Sequence, residues 1–154
     1  VLLPDARVLV GGHVPLPAFH EHQREGENPQ VTDETFEVYE PPYLFLDDTR
    51  PVIEAGQAAG TWGQDVTLWV NGLEEGVHSV VLMRPGATTH GYDADQRAIE
   101  LEVTGENLAN GFGSLTVQLP PDANVAPPGH YMVFVNEDID GEAMPSEASF
   151  IELS

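Results

Sequence analysis

The chain has 154 residues, enough for one domain with a real core. It carries 26 acidic residues against five arginines and no lysine, a net charge of −21 that repels phosphate backbones and anionic lipid and so argues against nucleic acid or a membrane as partner. Cysteine is absent, which excludes disulfides, thiolate metal sites and a cysteine nucleophile within this chain, and no apolar run reaches the length of a bilayer span.

Val1 opens without an initiator Met or a signal-peptide pattern, as expected of a processed product, a fragment or an excised domain. Arg7–Val10 and Thr35–Tyr39 read as strands, but more than twenty residues separate them, with Gly11-Gly12, Pro15, Pro17 and Pro29 among these. Two strands joined by such a loop are marginal alone. Residues 1–46 are therefore expected to belong to a larger sheet, or to pair with the rest of the chain or with another copy.

From residue 47 the pattern changes. Pro51–Ala55 is apolar. Val66, Leu68 and Val70 alternate with Thr67 and Trp69, and Val77–Met83 is an apolar run. Ile99, Leu101 and Val103 alternate with Glu100 and Glu102, and Leu115, Val117 and Leu119 repeat the period. Tyr131–Val135 is apolar on both faces, as a strand covered on both sides would be, and Ile151 and Leu153 flank Glu152. About seven short strands with almost no helix signal predict an all-β, immunoglobulin-like sandwich over 47–154.

Between two of these runs lies Arg84-Pro-Gly-Ala-Thr-Thr-His90-Gly-Tyr92-Asp-Ala-Asp95-Gln-Arg97, which places His90 near the tip of a strand-to-strand connection. A projecting imidazole offers a nitrogen ligand to something outside the domain; the plain alternative is a loop histidine that meets solvent. Asp95 and Arg97 read as a structural ion pair or as bracing for that loop. Asn136, Asp138, Asp140 and Glu147 stand at calcium-loop spacing with Gly141 at the turn position, and a simple hairpin explains the same residues without an ion. His20 and His22 share a face if extended, His130 opens an apolar strand, and His13 and His78 show no partner pattern. The excess of carboxylates should make added salt raise the melting temperature; a flat or falling value between low and molar salt would contradict this.

Three blocks stand out: Leu2–Val8 with Gly11-Gly12; Phe36–Leu44 with Thr49-Arg50-Pro51; and Arg84-x-Gly86-x-Thr88-x-His90 with Asp95-Gln-Arg97, Pro128-Gly129-His130-Tyr131-Met132 and Pro145-Ser146. Together they resemble the carboxy-terminal region of galactose oxidase and glyoxal oxidases, the copper-radical oxidases. The resemblance implies an early set sandwich over 47–154, preceded in 1–46 by strands of the last blade of a β-propeller. It implies that His90 is one copper ligand, that Asp95 and Arg97 lie behind it, and that an upstream propeller of the same protein is the partner. It also implies an extracellular or cell-surface location. The other copper ligands and the tyrosine–cysteine cofactor of that family are missing here, so the chain alone is expected to be inactive. The competing expectation is an autonomous module that binds carbohydrate or protein, or self-associates through exposed strands.

Overall fold

A computed structural model of the protein describes residues 1–11, 35–46, 49–74, 78–89 and 92–154. Its centre is a continuous ladder of nine strands that folds over on itself as two sheets. The first sheet runs β3 (Val52–Ala55), β5 (Asp65–Asn71), β10 (Phe112–Gln118) and the second half of β9 (Ala98–Ala109). The second runs from the first half of β9 through β6 (His78–Met83), β11 (Gly129–Ile139) and β13 (Ser149–Leu153) to β4 (Ala59–Gly60), with β12 (Glu142–Pro145) also on β11.

Period-2 alternation builds the core. Val66, Leu68 and Val70, with Leu115 and Val117, face Val80, Leu82, Tyr131, Val133, Val135, Ile151 and Leu153 across one apolar interior. β11 is apolar on its other face too, and there Met132 and Phe134 join a second cluster with Leu2, Ala6, Tyr43 and Leu44. The expected central strand is thus covered on both sides.

β9 extends past Val103, where its alternation stops. Thr116 pairs with Gly105 but Val117 pairs with Val103, leaving Thr104 as an extra residue. That bulge shifts the facing of every later side chain, and a search for alternation loses the strand there. The turns at the ends of two long hairpins are local chemistry: Asn110 (φ 54°) and Gly111 (φ 81°) join β9 to β10, and Asp140 (φ 55°) and Gly141 (φ 89°) join β11 to β12. Both pairs supply the two left-handed residues that a tight hairpin needs.

Ahead of the sandwich, β1 (Val8–Gly11) pairs antiparallel with β2 (Phe36–Tyr39), Val8 opposite Tyr39. The residues flanking these strands dock on the sandwich. The Tyr43 hydroxyl donates to the Ala6 carbonyl at 2.6 Å, and burial pushes that phenol above its ordinary range. Arg50 donates to the carbonyls of Pro145 (2.9 Å), Ser146 (3.0 Å) and Asp5 (3.2 Å), so one guanidinium ties three separate segments together. The β1–β2 pair itself stays open to solvent, with Phe36 71% and Tyr39 53% exposed.

Candidate functional site

The connection from β6 to β9 begins at Arg84 and ends at Arg97, and the Arg84 amide donates to the Arg97 carbonyl at 3.1 Å, closing its base. Within it, β7 (Thr88–Thr89) pairs with β8 (Tyr92–Asp93), Thr89 opposite Tyr92. This small ladder is separate from the main one, and Thr88, Thr89 and Tyr92 are exposed. His90 and Gly91, the residues between the two arms, lie outside the described residues, as do His13, His20 and His22.

Two side chains hold the base. Asp93 Oδ1 accepts from the amides of Ala87 (2.9 Å) and Asp95 (3.2 Å), which locks one arm to the other. Gly86 lies against this carboxylate: a Cβ there would meet Asp93 Oδ2 at 2.7 Å. Arg84 does the rest. Its Nε pairs with Asp95 Oδ2 at 3.2 Å, while Nη1 donates to the Tyr131 hydroxyl (3.2 Å) and to the carbonyls of Pro127 (3.2 Å) and Pro128 (3.4 Å). The guanidinium also lies 5.4 Å from the centre of the Tyr131 ring, within cation–π range. Its hydrogen bond to Tyr131 is the main cause raising Arg84 above its ordinary range, with Asp95 adding to it.

The Pro128-Gly129-His130-Tyr131-Met132 block thereby acquires a physical meaning. Pro128 offers a carbonyl to Arg84, and Tyr131 is buried with its hydroxyl donating to the Pro127 carbonyl at 2.7 Å. Gly129, at φ 132°, sits where a Cβ would come within 3.3 Å of Arg84 Nη2. The unusual blocks at 84–97 and 128–132 therefore meet at one guanidinium.

Several expectations change. Asp95 pairs with Arg84, so it does not form the expected ion pair with Arg97. Arg97 Nη1 is buried and has no hydrogen-bond partner among the described residues. Sequence reading missed Asp93, although Asp93-Ala-Asp95 has the spacing of a carboxylate that bonds the backbone two residues on. His78 does have a partner: its Nε2 lies 3.6 Å from Glu106 Oε2, with the imidazole 4% exposed. His130 is exposed, opposite Glu152.

The calcium reading gains no support. The Asn136 amide donates to the Ser79 hydroxyl at 3.1 Å, and Asp138 Oδ1 accepts from the Gly141 amide at 2.8 Å. Asp140 occupies a left-handed turn position, and Glu147 follows β12 beyond the buried Ser146. Their spacing serves the β11–β12 hairpin. Among the described residues, no group of three or more His, Asp or Glu side chains is placed to hold a metal ion.

Fold and loop together define an all-β early set sandwich that carries a braced hairpin between β6 and β9. The sequence model for the galactose oxidase-like early set domain matches residues 50–153, and the chain belongs to that family. It is 32% identical to an aldehyde oxidase, GLOX, of Vitis pseudoreticulata over 99% of this chain and 28% of that protein. It is 31% identical to a galactose oxidase of Gibberella zeae over 100% of this chain and 20% of the relative. A WSC domain-containing protein of Arthroderma benhamiae is 29% identical over 99% of this chain and 14% of its own length. Among solved structures, a fungal alcohol oxidase of the AA5 family in complex with copper superimposes with a TM-score of 0.76 at 29% identity, over 99% of this chain and 30% of that one. The chain thus spans less than a third of each of these proteins.

Proposed function

We propose that this chain is the early set portion of a copper-radical oxidase, and that His90 is one of that enzyme's copper ligands. The observation that carries the reading is the braced connection of residues 84–97, whose paired arms flank His90 and whose base is held by Arg84 and Asp93. Relatives named as aldehyde and galactose oxidases, and a copper-bound alcohol oxidase of similar fold, support it.

The chemistry of the donors fits a shared site and not a self-contained one. Cu(II) favours several nitrogen and oxygen donors in a tetragonal arrangement, and an imidazole suits it. This chain offers one such group in the loop, so the remaining donors come from outside the described residues. When complete, the copper–radical centre would supply two-electron oxidation of a primary alcohol or aldehyde, with dioxygen becoming hydrogen peroxide. The chain's own residues brace the connection in which His90 lies: Asp93 locks the arms, Asp95 anchors Arg84, and Arg84 fixes the base to β11. The open β1–β2 pair, with Phe36 and Tyr39 exposed, would be completed by further strands of an upstream propeller blade. An extracellular setting follows from the same family reading.

A second reading, an autonomous binding module, draws on the docking of Leu2, Ala6 and Tyr43 onto the sandwich and on the bond from Arg50 to the Asp5 carbonyl, which such a module requires. Peroxide release by the full-length gene product separates the two. The oxidase reading expects activity that His90→Ala lowers at least about a hundredfold without unfolding the protein, and none from the isolated chain. A full-length product that binds no copper and releases no peroxide would favour the module. Undiminished activity in His90→Ala would remove the ligand assignment.

A further inference from the structure

The two faces of the sandwich away from the core are unlike each other. On the β6–β11 sheet, Met132 and Phe134 are covered by Leu2, Ala6, Tyr43 and Leu44. On the β5–β10 sheet, the outward positions carry Trp69 and Phe112, which are 48% and 51% exposed. Their rings lie side by side with centroids 6.4 Å apart and planes inclined by 30°. Large aromatics of this kind are costly to leave wet, and an exposed pair with neutral polar neighbours is a usual mark of a binding surface.

Beside the aromatics the same outward rows carry neutral hydrogen-bonding groups, and acidic Asp65 and Glu102 flank Gln118 at the far end. Ser114 stands opposite Trp69 and Asn107, and Thr116 stands opposite Thr67. The strip is therefore an aromatic platform with hydroxyls and an amide along its β9–β10 side and the aliphatic Val52 and Ala55 of β3 along the other.

From this arrangement we infer that the Trp69–Phe112 face binds a neutral saccharide chain. A pyranose presents an apolar face of C–H groups that stacks on an aromatic ring, and an edge of hydroxyls that pairs with Ser, Thr and Asn. Each half of the strip has a counterpart in that ligand. Charge selects among the alternatives. A net charge of −21 repels anionic polysaccharides and opposes the pairing of two identical copies, whereas an uncharged sugar meets no such barrier. The apolar interior takes no part, because Val66, Leu68 and Val70 alternate with this face and point inward. The inference is independent of His90 and of any copper.

Native affinity electrophoresis of the chain tests it, in gels containing galactomannan, laminarin or hydroxyethylcellulose, with polygalacturonate as the anionic comparison. Retardation is expected in at least one neutral gel, with Trp69→Ala weakening it at least about tenfold and Phe112→Ala weakening it less. Trp69→Phe, which keeps an aromatic face, should retain most of the retardation and guards against a misfolded alanine variant. Absence of retardation in every neutral gel would overturn the inference. So would equal retardation of Trp69→Ala, retardation by polygalacturonate alone, or a dimer in sedimentation that Trp69→Ala abolishes.

Discussion

Gly113→Ala is expected to destabilise the fold by about 3–5 kcal/mol, the range of severe overpacking, and to lower the melting temperature by roughly 6–20 °C. Gly113 is buried in β10, opposite Leu108 of β9 on one side and Val70 of β5 on the other. A Cβ there would run into the Asn107 carbonyl oxygen and lie 2.9 Å from both Asn107 C and Leu108 Cα. All three are backbone atoms, so no side-chain rotation relieves the clash, and the β9–β10 ladder itself has to move. Gly105→Ala is the internal comparison. Its Cβ would meet Thr116 Cβ at 3.4 Å and Oγ1 at 3.5 Å, which is ordinary contact, and the change should cost less than about 1 kcal/mol. Thermal denaturation of the two variants reads the difference; equal melting temperatures would show that the close approach of β9 and β10 is not as described.

Arg84→Ala is expected to cost about 1–3 kcal/mol, because the side chain makes several charge-assisted, partly buried hydrogen bonds that are lost together. Its donors reach Tyr131, Pro127 and Pro128, and its Nε pairs with Asp95. Loss of these contacts frees the base of the 84–97 connection from β11. Amide exchange at Ala87 and Asp95, which are held through Asp93, should therefore accelerate more than exchange in β5 or β13. Arg84→Lys should recover little, since a single ammonium cannot reproduce a planar fork directed at four acceptors. A variant with unchanged melting temperature and unchanged exchange at Ala87 would show that the guanidinium is not the brace.

The core was legible in the sequence because it obeys a single rule, the alternation of Val66, Leu68 and Val70 and of Leu115 and Val117. Tyr131–Val135 was legible for the complementary reason, since both its faces are apolar and both are covered. Past Val103 the same rule failed, because Thr104 bulges out of register and breaks the period. Strands as short as Ala59–Gly60 leave no period to detect.

The recognisable blocks were legible as words before their contacts could be known. Arg84 joins the 84–97 and 128–132 blocks, and Arg50 joins Asp5 to Pro145 and Ser146. These arginines bond chiefly to carbonyl oxygens, which carry no side-chain signature. Pairing charges by sequence proximity therefore matched Asp95 with Arg97, whereas the fold brings Asp95 to Arg84. The Asn136–Glu147 segment reads two ways for a related reason: acidic spacing alone does not distinguish a turn that bonds a carboxylate to its own backbone, as Asp138 does, from one that directs its carboxylates at an ion.

We propose that this sandwich lends one imidazole to a redox centre assembled mainly by other parts of a larger protein. The copper electron paramagnetic resonance spectrum of the full-length gene product, wild type against His90→Ala, tests it most directly. His90→Ala is expected to lose one equatorial nitrogen coupling while its sandwich stays folded. Identical nitrogen couplings in the two proteins would contradict it.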